Sequence, residues 1–146
     1  MNKTESADLI LKLYDLRRET KMREARNWML SFFPESAADI LQTMIHPETS
    51  AYYRMITSYW DMAASFVNHG AIDEEMFADA HGEQIVVFAK IEPFLAELRE
   101  MTGNPRMLEN LEKLIMRMPD GKERLVKSRE TMQRMMQMRA QMAGNA

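Results

Sequence analysis

Between one proline or glycine and the next, apolar side chains in this chain recur every three or four residues and almost nowhere every second one. That spacing suits a helix that buries one stripe, and no stretch alternates long enough to propose a sheet. Gln84 to Phe88 is β-branched enough to be ambiguous alone, but its capped, helical surroundings decide for helix. With 146 residues, 46% hydrophobic and 28% charged, one compact domain with one core is expected, and disorder is not.

The punctuation divides the chain into six or seven helices of an all-α, single-domain bundle. Ser6, with Thr4 as a rival cap, opens a helix through Leu9, Ile10, Leu13 and Leu16 that can run on through Met22, Ala25, Trp28, Met29 and Phe32 to Pro34. The dense charge from Arg17 to Arg26 marks a bend or a partner-facing surface within it. Ser36 to Ile45 forms the second helix, closed by His46-Pro47. Thr49 and Ser50 then cap the strongest pattern in the chain. There Tyr53, Ile56, Trp60, Ala63, Ala64 and Val67 share one face, and Gly70 supplies a left-handed ending.

Asp73 opens a short helix that stops near His81-Gly82, with Ile72 packing back on the preceding turn. Glu83 to Glu100 is expected as one helix kinked at Pro93. Asn104 and Pro105 read as cap and first residue of the next helix, which ends at Pro119-Asp120-Gly121. A last helix runs from Lys122 toward Met142. The Ser50 to Asn68 and Glu83 to Glu100 helices are expected at the centre.

Several functions are excluded by what the chain lacks. Without cysteine there is no disulfide, thiolate metal site or cysteine nucleophile. The apolar run Leu9 to Leu11 is too short and too soon charged for a signal peptide, so cytoplasmic residence is the simplest expectation. No G-x-S-x-G, G-x-G-x-x-G or Walker-type loop is present, and no enzymatic activity or cofactor is expected.

Within Tyr52 to Leu114 stand Tyr53-Arg54-Met55, Tyr59-Trp60-Asp61, Val67-Asn68-His69-Gly70-Ala71-Ile72-Asp73, Phe77, Ile91-Glu92-Pro93-Phe94, Leu98-Arg99-Glu100 and Gly103-Asn104-Pro105. In this order they resemble a bacterial family of small helical proteins known only as a domain of unknown function. The resemblance implies an α-helical fold and supplies no reaction, substrate or ligand. Some members of such families carry an N-terminal membrane anchor; no such segment is read in this sequence, so a membrane role is not expected.

Three groups of residues are candidates for a site. Glu75, Asp79, His81 and Glu83, with Glu74, form the tightest set of metal-ligating types. Gly82 interrupts the helical spacing that a metal site wants, and the expected reading is a capped loop without metal. Tyr53 and Trp60 can line a pocket with Arg54 and Asp61 at its mouth, although aromatic residues at helical spacing more often fill a core.

The third group is the C-terminal segment. After Gly121, six basic residues face only Glu123 and Glu130, a net +4, while the preceding residues carry −7. The chain therefore reads as an acidic bundle, 1–121, and a basic methionine-rich helix, 122–146, that belongs to the same domain or forms its oligomer interface. Leu125, Met132, Met135 and Met142 fall on one side of it, flanked by Met136 and Met138. Flexible, polarizable methionines suit adaptable protein interfaces. Copper(I) ligation would ordinarily accompany export, nucleic acid would require more positive charge, and a membrane surface would want Trp, Phe and Leu. The expected role is a non-enzymatic interaction or scaffold domain that forms a homo-oligomer, a dimer first, or binds another protein, with neither nucleic acid nor membrane as partner. The alternative is a small-molecule or metal-dependent activity in a pocket between the central helices.

Overall fold

The computed structural model describes residues 2–145, all helix and connecting turns with no strand among them. Its α-helices are α1 (Lys3–Arg17), α2 (Thr20–Leu30), α3 (Ala37–Ile45), α4 (Ser50–Asn68), α5 (Glu74–Ala80), α6 (Glu83–Ile91), α7 (Leu95–Thr102), α8 (Glu109–Arg117) and α9 (Gly121–Gly144), with a 3-10 turn at Glu92–Phe94. Six or seven helices were expected; two of them are divided. The first is broken at Arg18-Glu19, where the Glu19 carboxylate takes the Met22 N–H at 2.9 Å and starts α2 as its own cap. The second is broken at Pro93, whose ring interrupts the helix as the 3-10 turn.

α4 is the axle. Tyr53, Ile56, Tyr59, Trp60, Ala63, Ala64 and Val67 are all buried, and α2, α3 and α8 pack around them. α6 is the second centre, with Val87, Phe88, Ala89 and Ile91 inaccessible and α9 lying along it. Gly70 takes φ +80°, and the Ala71 N–H returns to the Phe66 carbonyl at 2.9 Å. That left-handed closure turns the chain so that Ile72 seats in the core.

Two starts lie elsewhere than expected. α1 is capped by Asn2 in a capping box with Glu5, while Ser6 is buried inside the helix and its hydroxyl accepts the Asp73 N–H at 3.0 Å. α8 begins at Glu109 rather than Pro105. Leu108 sits at φ +53° with its side chain buried, Arg99 draws the Met107 carbonyl at 2.8 Å, and the Asp61 carboxylate accepts the N–H groups of Asn110 and Leu111 at 3.1 and 3.0 Å. Asp61 thus caps α8 from α4, the task a local Asn104 was expected to do.

Two cations, Lys90 buried and Arg129 part-buried, close other helix ends. Lys90 donates to the carbonyls of Met29, Leu30 and Phe32 at the end of α2, with the Phe33 ring 4.5 Å from its ammonium. Arg129 donates to the Ala89 carbonyl at 3.0 Å, the acceptor that Pro93 cannot use because it has no N–H, and pairs with Glu92 at 3.5 Å. The break at Pro93 is thereby also the anchor of α9.

Burial pushes the Tyr59 phenol up to about 12, where its hydroxyl donates to the Leu13 carbonyl, and pushes Tyr53 up as well. In the unfolded chain these phenols ionise near 10, so the stability they contribute is complete below about pH 10 and is lost as pH rises through the folded values. Burial lowers Lys90 to about 8, which acts in the opposite sense between about 8 and 10. Alkaline unfolding is expected to begin above about pH 10, with the phenolates of Tyr53 and Tyr59 forming together with loss of helical circular dichroism. All four tyrosines of the chain ionising with the helix signal intact would contradict this.

Candidate functional site

α9 has two halves with different surroundings. From Gly121 to Met132 it lies on the body, with Leu125 only 1% exposed and Met132 packed against the core. From Gln133 to Gly144 every residue is exposed, Gln133 and Met136 still line a hollow shared with the body, and the eight residues after Met136 carry the helix about 12 Å further at 1.5 Å per residue. Leu125, named among the interface residues from sequence, belongs to the chain's own core. Its spacing matched the methionines because one face of the helix runs from the body into solvent.

The free half carries Met135, Met136, Met138 and Met142 at 53, 42, 57 and 73% exposure. At 100° per residue these and Met132 span an arc of about 160°, with Arg139 inside it and Arg134 beside it. At its inner end the arc runs into a hollow of about 260 Å³ between the α2–α3 connection and α9. Phe33, Pro34, Phe94, Met132 and Met136 line it, and Glu35 adds a carboxylate. A free helix of this length is marginal in water, because its hydrogen bonds alone barely offset the ordering of its backbone.

The residues suggested as metal ligands are placed otherwise. The Glu83 carboxylate is the hub of a part-buried cluster, accepting from Arg26 Nη2 at 2.9 Å, Arg17 Nη2 at 3.1 Å and Trp60 Nε1 at 3.3 Å. Arg17 also donates to His81 Nδ1 at 3.1 Å and lies 5.4 Å from the Trp60 ring. Glu75 and Asp79 are exposed on α5, and among the described residues no group of three or more His, Asp or Glu is placed to hold an ion. Arg17 and Arg26 were legible only as dense charge, since they meet Glu83 across separations of 66 and 57 residues.

His81 is 4% exposed, edge-on to Trp60 at 5.4 Å and against Phe77 at 5.2 Å. Burial, and then the neighbouring Arg17 charge, lower its pKa, while Glu83 raises it. An Nδ1 that accepts from a guanidinium leaves the ring proton of the neutral form on Nε2. Trp60 is wholly buried. The Tyr53 hydroxyl is buried without a partner, and neither residue lines the hollow at α9. Arg54 turns back toward the Ser50 carbonyl at 3.4 Å, and Asp61 is committed to α8.

Comparison with known proteins gives one positive result. A family model described as "Domain of unknown function (DUF4760)" matches residues 4–118, the span from α1 through α8, and α9 lies beyond the matched residues. No curated protein and no solved structure matches the chain. No helix among the described residues is long and apolar enough to cross a membrane.

Proposed function

Because this chain belongs to that family of unknown function, whose description names no activity, we propose its role from its own surface: a helical interaction domain that pairs with a second copy through the outer half of α9. The observation that carries this is the methionine arc left exposed from Met135 to Met142, whose inner end meets the hollow on the body. Burying four methionine side chains against another chain supplies the stabilisation that a lone helix of this length lacks.

The second copy is favoured by charge and by continuity. Arg139 lies within the apolar arc, so two such arcs face to face would oppose like charges. An apolar hollow with a carboxylate at its edge suits it better, and the bundle offers one at Phe33, Phe94 and Glu35, where Lys90 is committed to carbonyls at the end of α2 and Arg129 to Glu92. In a reciprocal pair each outer helix lies across the hollow of the other copy, and the same contact occurs twice.

The test replaces Met135, Met138 and Met142 together with glutamine, which keeps helix propensity and touches no core residue. Sedimentation of the unaltered chain is expected to show a dimer that dissociates on dilution, and the triple variant is expected to be monomeric with unchanged helix content. An unaltered chain that sediments as a monomer at high micromolar concentration, or a variant that remains a dimer, overturns the reading.

A further inference from the structure

The apolar residues of outer α9 are of one kind. From Lys127 to the end of the chain every apolar side chain larger than alanine is a methionine, at positions 132, 135, 136, 138 and 142. The buried faces of α4, α6 and α8 are built mainly from Ile, Leu, Val and aromatic side chains instead. A permanent contact needs no sulfur, since leucine fills a similar volume and specifies its packing better.

What methionine adds is chemistry. Its thioether takes one oxygen from a peroxide: the sulfur lone pair attacks, the O–O bond breaks, and the displaced hydroxide takes the hydroxyl proton and leaves as water. Sulfur loses two electrons, the peroxide gains them, and an apolar side chain becomes a polar sulfoxide. The chain has no cysteine, so thioethers are its only oxidisable sulfur. Accessibility then decides which of them react. Met135, Met136, Met138 and Met142 are exposed, whereas Met22 and Met29 of α2 lie in the core. Met62 on α4 and Met101 on α7 are also exposed, but neither lines the hollow at α9.

We infer that the methionine arc is a peroxide-sensitive modification site, at which sulfoxide formation separates the paired chains; this rests on the pairing through α9 proposed above. Pair and free chain exchange by mass action, and the free chain offers the oxidant the exposed thioethers of the arc. Each added oxygen is a polar group aimed where the apolar hollow of a second copy would receive it, and burying it there without a hydrogen-bond donor is unfavourable. Methionine sulfoxide reductases return the thioether, which makes the separation reversible.

The test treats the full chain with hydrogen peroxide, maps sulfoxides by peptide mass spectrometry and measures mass in solution by sedimentation. Oxygen is expected on the arc, Met62 and Met101 before Met22 and Met29. The dissociation constant of the pair is expected to rise by about tenfold or more, as for the loss of one buried methionine contact. The two reductases, one for each sulfoxide epimer, are expected to restore the dimer. A variant carrying Met135→Leu, Met136→Leu, Met138→Leu and Met142→Leu keeps the apolar arc and its helix propensity, and is expected to stay dimeric under peroxide. Because it retains Met62 and Met101, it separates the arc from the other exposed thioethers. A dimer unmoved by complete oxidation of the arc, or a leucine variant that peroxide dissociates equally, overturns this inference and leaves the pairing standing. An untreated chain that is monomeric at high micromolar concentration overturns the pairing, and this inference with it.

Discussion

Gly121→Ala is expected to destabilise the protein by about 3 kcal/mol, seen as a lower urea midpoint with an unchanged slope. The reason is a close approach of backbone to backbone. Gly121 is the first residue of α9, and a Cβ added there falls far inside van der Waals contact with the Ile115 carbonyl oxygen of α8. A side chain could rotate away; a carbonyl within α8 cannot without moving α8 or α9. The residue's own N–H is bonded to the Met118 carbonyl at 3.0 Å, so the turn has no slack on the other side. Gly144 is the control, since it is helical with nothing within 4 Å of an added Cβ. Gly144→Ala is expected to be neutral or slightly stabilising. Equal stability of the two variants would show that α9 is not fixed on α8 as described.

Glu83→Ala is expected to cost about 3 kcal/mol, again by urea denaturation. The three side chains of the ion cluster keep only 14, 27 and 16% of their surface for Arg17, Arg26 and Glu83. Removal of the shared carboxylate leaves two guanidinium groups and the Trp60 N–H without their acceptor in a part-buried place, and an uncompensated buried charge is what makes such deletions severe. Replacing all three with apolar residues of similar volume is therefore expected to cost less than Glu83→Ala alone. This non-additivity separates an electrostatic role from simple loss of packing. If Glu83→Ala is within about 0.5 kcal/mol of the unaltered chain, the cluster contributes nothing beyond surface pairs.

Much of the fold was legible because helix ends are written locally. Gly70, Pro93 and Gly121 each mark a boundary where the chain turns, and the apolar face of α4 is the buried face. What misled was chemistry supplied from a distance. Ser6 looked like a cap, but its hydroxyl serves Asp73, 67 residues away. Pro105 looked like a helix start, but Asp61 holds the start of α8 at Glu109 and later. The dense charge after Arg17 signalled a bend, and the chain does bend at Arg18-Glu19, yet nothing local showed that Arg17 and Arg26 converge on Glu83.

The candidate site was legible in the same uneven way. Periodicity identified the methionine face, but not where the bundle ends beneath it, so Leu125 and Met135 were indistinguishable in sequence. His81 stood out only as a histidine among carboxylates.

We propose that the outer half of α9 is a helix completed by a second copy of the chain. Amide hydrogen exchange measured across a range of protein concentration tests it most directly, since pairing and helix protection are then linked by mass action. Protection of residues 133–144 is expected to rise with concentration while that of α4 and α6 stays constant. Amides in 133–144 that exchange equally fast at every concentration would contradict the account.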